Sequence, residues 1–187
     1  MLHHGLFYCL FITLKVLFVC ENKLKRLLVQ ERIHKEIDEV GSTDMSQLPY
    51  LQAVLKEVHR QRPVAPLSVP HTTEEDVTVG GYLIPKGTIV FHNIWGCNYI
   101  EKDWKNPYEF RPERFLEGEE KDNLCLVFGT GLRECIGSNF AKQLLNMIIP
   151  KIFAKFKFSS TKPLDLRPDY GLTYTPKAQN ITVALRK

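Results

Sequence analysis

The stretch Phe128-Gly129-Thr130-Gly131-Leu132-Arg133-Glu134-Cys135-Ile136-Gly137 decides the reading of this chain. It sets one cysteine on a glycine-rich loop, with an arginine two residues before it and a helix-forming stretch soon after. The thiolate, not the thiol, ligates metals, so a working Cys135 needs a stabilised anion. Gly131 and Gly137 free the backbone to turn N–H groups toward sulfur. A helix starting near Ser138 brings its positive end close, and a bound metal would itself hold the thiol deprotonated. Arg133 offers a guanidinium to a carboxylate. Phe128 is suited to pack against the loop or its ligand.

Moving outward, 187 residues allow one modest domain with a real core. Hydrophobic content of 44% and charged content of 25% fit a folded globular protein. A net charge of +4 is too mild to argue for nucleic acid but suits a basic docking face or an anionic membrane surface. Cys9, Cys20, Cys97, Cys125 and Cys135 contain no C-x-x-C pair, so a zinc site has little support. Their odd number and scattered spacing argue against a disulfide framework and for a reducing compartment.

Residues 6–20 are apolar apart from Thr13 and Lys15, and short for a bilayer span of roughly 20 residues. A membrane anchor, an interfacial segment, a buried helix and a non-family first exon all remain open for 1–21. Residues 22–40 predict a helix, with Leu24, Leu27, Leu28, Ile33 and Ile37 near helical spacing. Residues 49–60 predict another, with Pro49 in its first turn. Pro63, Pro66 and Pro70 then force an extended path. Val77 to Ile84 reads as a hairpin around Gly80-Gly81, and residues 88–91 as a further β-branched run. Residues 95–112 form an aromatic, loop-rich stretch. A helix is expected over 139–153 with Phe140, Leu144, Leu145, Ile148 and Ile149 as its apolar side, kinked or ended at Pro150. The tail, 172–185, alternates enough to predict a second hairpin turning at 176–180. The sequon Asn180-Ile181-Thr182 is a motif common by chance.

Glu57 and Arg60 stand three apart on one helical face, where they can pair. Most such pairs are solvated and worth little. This one is accompanied by Phe110-Arg111-Pro112-Glu113-Arg114-Phe115.

Taken together, the Cys135 loop, the E-x-x-R helix and the P-E-R-F segment resemble the cytochrome P450 family of haem-thiolate monooxygenases. A chance match at Phe128, Gly129, Gly131, Arg133, Cys135 and Gly137 is on the order of 1 in 10⁸ per starting position. The resemblance runs from about residue 29 to 185. It implies a mainly α fold with small β-hairpins (α+β), residues 22–187 being the C-terminal haem-ligand part. It implies haem b with Cys135 as the axial iron ligand and Phe128, Gly129, Gly131, Arg133, Gly137 and His71 as cofactor-binding residues. Glu57, Arg60 and Arg114 become a structural charge triad behind the loop. His71, after Pro70, stands where some members place a residue on a haem propionate.

The implied reaction inserts one oxygen atom of O2 into a small lipophilic substrate such as a steroid or xenobiotic. Electrons would come from NADPH through a flavoprotein reductase. The run 48–67 and Gly81-Tyr82-Leu83-Ile84-Pro85-Lys86-Gly87-Thr88 look like the microsomal animal branch, with Arg62-Pro63-Val64-Ala65-Pro66 leaning toward the steroid 17-hydroxylase-like group. That branch implies the cytosolic face of the endoplasmic reticulum membrane. Family chains are more than twice this length, and the distal A-G-x-x-T helix and the propionate-binding W-x-x-x-R helix have no counterpart here. Asn98-Tyr99-Ile100 also departs from a His-Arg-Asp-like run. The alternative expectation is therefore a truncated, inactive haem-binding or interaction fragment.

Overall fold

The computed structural model describes residues 23–118, 126–165, 167–169, 171 and 173–186. The apolar 6–20 stretch, with Cys9, Cys20 and Cys125, lies outside the described residues.

Three long helices make the core: α1 (Lys23–Val40), α2 (Pro49–Gln61) and α4 (Ser138–Lys155). The short α3 (Ile94–Cys97) and one-turn 3-10 helices at Met45–Gln47, Pro112–Phe115 and Gly131–Arg133 punctuate the loops. Ile33 and Ile37 of α1 meet Leu51, Val54, Leu55 and Val58 of α2 and Leu145, Ile149 and Phe153 of α4. The four α2 residues follow i, i+3, i+4, i+7 spacing, and the α4 residues i, i+4, i+8, so each helix presents one stripe inward. Helix α2 is buried on a second side as well, where Ala53, Glu57, Arg60 and Gln61 lie. Its N-terminus is satisfied from a distance. The Glu36 carboxylate accepts the Tyr50 N–H at 2.6 Å and the Leu51 N–H at 2.9 Å, two of the donors every helix start leaves open.

Among the described residues, strands pair only as two-stranded antiparallel ribbons. The expected hairpin is present as β2 (Val77–Val79) against β3 (Tyr82–Ile84), with Gly80 and Gly81 at φ +59° and +86°. Two consecutive positive φ angles are what a tight hairpin turn needs. Strand β1 (His71–Thr72) pairs with β4 (Ile89–Val90) around it.

Three expectations are corrected. The tail does not fold back on itself as a hairpin. Instead β7 (Thr175–Pro176) pairs with β6 (Pro168–Asp169), while β8 (Thr182–Leu185) pairs with β5 (Phe156–Ser159). Non-local anchors decide this. The Gln30 amide bonds both backbone groups of Phe158, at 3.1 and 2.8 Å, and the Arg186 guanidinium donates to the Phe153 and Ala154 carbonyls at the end of α4. Pro150 does not end α4; the helix continues to Lys155. A proline here forfeits one backbone bond, but Ile149 and Phe153 flank it, both fully buried, at about 1.5–3 kcal/mol each. Finally, Phe140 is 66% and Leu28 54% exposed, so neither belongs to the core stripe of its helix.

His34 projects from α1 toward the end of α4, its ring 6.2 Å from that of Phe153 and its Nε2 buried without a hydrogen-bond partner among the described residues. Burial, aided by the Arg186 charge, pushes the imidazole below its usual 6.5. The folded chain therefore takes up this proton less readily than the unfolded one. That contribution is present above about pH 6.5 and lost as pH falls through the lowered value. Stability should fall as the pH is lowered below about 6.5, and His34→Gln should flatten that fall in urea titrations at a series of pH values. In the same chain Phe153→Ala should cost about 3–5 kcal/mol, while Phe140→Gln should stay within about 0.5 kcal/mol.

Candidate functional site

Glu57 projects from α2 toward the buried side that the core does not occupy. Its carboxylate takes the Arg60 guanidinium side-on, Nε to Oε2 at 2.7 Å and Nη2 to Oε1 at 3.0 Å. Arg114, in the Pro112–Phe115 turn, approaches at 3.3 Å, and the Arg111 backbone N–H donates to Oε1 at 2.9 Å. All three charged residues are fully buried. The three that the sequence singles out are thus in direct contact.

One carboxylate does not balance two guanidiniums. The remaining N–H donors go to main-chain oxygens. Arg60 donates to the Asn98 and Pro107 carbonyls at 2.6 and 2.7 Å. Arg114 donates to Lys105 at 2.9 Å and to Asn106 and Glu109 at 3.3 Å. The guanidinium carbon of Arg60 also lies 5.1 Å over the Trp104 ring. Burial pushes Arg114 down from its ordinary value, and the Glu57 carboxylate pushes back. The triad is a knot that ties the irregular 98–111 segment to α2 through its own backbone.

Asn98, a departure from the expected pattern, takes part in this knot. Its side-chain amide donates to the Arg60 carbonyl at 2.9 Å and it is fully buried. Tyr99 follows, donating its hydroxyl to the Gln61 carbonyl at 2.8 Å. Only the odd Asn-Tyr pair in an otherwise recognisable segment signals them in sequence.

The Cys135 loop meets the last turns of α2 through Phe128 and His59. Gly129 and Gly131 hold φ of +75° and +69°, a region that glycine enters without a Cβ clash. These bends let the Cys135 N–H donate to the Phe128 carbonyl at 2.8 Å. Ser138 N–H donates to the Cys135 carbonyl at 3.0 Å, so α4 starts three residues past the thiol. Gly137 has φ −89°, open to any residue, which corrects the expectation of a special backbone there; a Cβ added to it would meet the Cys135 Sγ at 3.8 Å. Phe128 packs inward, its ring 6.1 Å from His59 of α2 and under the Lys142 ammonium of α4 at 5.3 Å. Arg133 is exposed in the 3-10 turn. His71 is half-buried on β1, away from the loop in sequence, with its ring 4.8 Å from that of His92.

Cys135 itself is free and exposed. The apolar side chains around it in the loop are not covered: Leu132 and Ile136 are each as exposed as in an open chain, at 105%. Phe140 follows in the first turn of α4.

A family model described as Cytochrome P450 matches residues 23–183. The chain belongs to the cytochrome P450 family. It is 37% identical over 172 residues to cytochrome P450 2U1 of Homo sapiens, covering 84% of this chain and 31% of that protein. It is 36% identical over 145 residues to probable cytochrome P450 555A1 of Dictyostelium discoideum, covering 78% of this chain and 30% of that protein. A zebra fish cytochrome P450 solved with progesterone superposes with a TM-score of 0.86 at 34% identity, over 98% of this chain and 43% of that one. The chain spans about a third of the length of the curated relatives it matches.

The α+β cytochrome P450 fold and a cofactor of haem with thiolate ligation follow from this membership. The residues present fit such a group. Among the described residues no cluster of three or more His, Cys, Asp or Glu side chains could hold a bare ion. Haem brings four nitrogens of its own and asks the protein for one axial donor and an apolar bed. A free thiol with uncovered Leu132, Ile136 and Phe140 within five residues of it in the chain offers both. No described helix is long and apolar enough to cross a membrane.

Removing the central carboxylate tests the knot. Glu57→Gln leaves two buried guanidiniums facing a neutral amide and should cost roughly 3–5 kcal/mol in urea unfolding. Arg60→Lys, which loses the side-on pair, should also destabilise, whereas Lys35→Gln, removing an exposed partner of Glu39, should change stability by less than about 1 kcal/mol.

Proposed function

We propose that this chain is the haem-ligand portion, residues 22–187, of a haem-thiolate monooxygenase in which Cys135 is the axial iron ligand. The observation that carries this reading is the exposed thiol on a loop bent by Gly129 and Gly131, in which Leu132 and Ile136 are also uncovered. Haem held by the Cys135 thiolate would supply oxygen activation.

The protein's own residues then divide the remaining work. Leu132 and Ile136 exclude water from the ligand side, which strengthens the electrostatic interactions at the sulfur. The start of α4 directs its positive end toward the Cys135 loop. Arg133 and His71 pair with propionates. Glu57, Arg60 and Arg114 hold the supporting segment rather than touch the cofactor. Residues 64–69 lie beside the substrate, fastened by the Tyr174 N–H to the Val64 carbonyl at 2.8 Å.

A small lipophilic substrate of steroid or xenobiotic type is the reading we favour. The zebra fish relative solved with progesterone supports it, as does the 17-hydroxylase-like run at 62–66. Two electrons would arrive from NADPH through a flavoprotein reductase, at the cytosolic side of the endoplasmic reticulum membrane.

The test is a carbon-monoxide difference spectrum of the reduced, haem-supplied protein beside Cys135→Ser. The expected result is a strongly red-shifted Soret band that the substitution abolishes. A band that survives in Cys135→Ser, or its absence from folded, haem-loaded protein, would overturn the ligand assignment.

A further inference from the structure

We propose that His92 joins His71 in a two-imidazole clamp for one haem propionate. This rests on the haem reading of Cys135 above and assigns a cofactor-binding role to a residue that neither the loop nor the triad requires.

The ribbon geometry places the two rings together. His71 is directly opposite Val90 in the β1–β4 pair. Side chains alternate along an extended strand, so the residue two beyond Val90 returns to the same face. That residue is His92, a diagonal neighbour of His71 and within reach of a ring. The centroids are 4.8 Å apart with the planes inclined at 50°.

Both ends of the ribbon are pinned, so the pair is preorganised. On one side the Thr73 N–H donates to the Thr88 carbonyl at 3.1 Å, and the Gly87 N–H to the Thr73 carbonyl at 2.9 Å. On the other, the Trp95 N–H donates to the Pro66 carbonyl at 3.0 Å. The Asn93 side chain caps α3 through the Gly96 N–H at 2.8 Å. Fixing donors before a ligand arrives lowers the ordering cost of binding.

Chemistry selects the ligand. Every imidazole carries at least one ring N–H donor whatever its tautomer or protonation. Two adjacent imidazoles therefore offer two donors, matching the two oxygens of a carboxylate. Neither ring makes a side-chain hydrogen bond or ion pair among the described residues, so these donors are not already committed. A metal would need further ligands, and no third His, Cys, Asp or Glu joins the pair among the described residues. Exposed Val69, two residues before His71, is in phase with the pair along the chain. A carboxylate on an apolar body suits this surface better than a small inorganic anion.

Haem and its dimethyl ester, which lacks the propionate charges, separate the outcomes. Each is loaded into the wild-type protein, His92→Leu and His92→Gln, and its transfer to an excess of an apo-globin acceptor is timed. A lost hydrogen bond to a charged group predicts release of haem roughly tenfold faster from His92→Leu. Release of the dimethyl ester should be unchanged, and His92→Gln, which keeps an N–H donor, should restore slow haem release. Equal acceleration of both ligands, or no acceleration, overturns the clamp. In each sample the carbon-monoxide spectrum is read first. A thiolate band with no discrimination between haem and ester sinks the clamp alone, whereas a missing band in the wild type sinks the Cys135 reading and the clamp with it.

Discussion

The Glu57 carboxylate, closed off from solvent between two arginines, is the contact on which the path of the 98–111 segment depends. A buried ion pair gains little net stability once desolvation is counted. What it contributes here is uniqueness. Arg60 and Arg114 between them carry more N–H donors than one carboxylate can accept, and the surplus is met by five main-chain carbonyls, those of Asn98, Lys105, Asn106, Pro107 and Glu109. Only one path of the 98–109 backbone brings all five oxygens to the two forks. A segment with almost no regular structure is thereby given a single conformation, without a hydrophobic core of its own.

That knot and the apolar core share α2. The face carrying Leu51, Val54, Leu55 and Val58 packs against α1 and α4, while the face carrying Glu57 and Arg60 ties down the loop. Helix α4 in turn continues directly from the cysteine loop, and Phe128 wedges its ring between His59 of α2 and Lys142 of α4. The thiol is thus referred to the core through two helices at once. Sites carried on rigid elements hold geometry more closely than sites on free loops.

Much of this was legible in the residues, for a physical reason. The cysteine loop and the triad depend on chemistry that few residue types supply: a thiol, glycines able to take positive φ, and guanidiniums that fork onto a carboxylate. Such constraints leave identities at fixed spacings. The 80–81 turn was legible likewise, because consecutive positive φ angles demand glycine. What was not legible is pairing between distant segments. Alternation in 172–185 was real, but alternation does not name a partner; Gln30, 128 positions away from Phe158, helps to choose it. The Glu36 cap on α2 has no local signature, since its signal is a single acidic residue on another helix. Pro150 misled in the opposite direction. Intrinsic preference ends a helix there, and burial of its neighbours overrides that preference.

Phe140, Leu132 and Ile136 carry the same lesson to the site. Helical periodicity assigned Phe140 to the core, yet it faces outward beside the two loop residues that share its exposure. Single exposed apolar residues are ordinary on a protein surface. Three of them within five residues of a free thiol, which itself follows two glycines in positive φ, are not independent accidents. Water disfavours the apolar side chains, and the sulfur needs a partner that tolerates an apolar setting. A flat, largely apolar ligand presenting a metal at its centre meets both conditions together, and no described protein segment does.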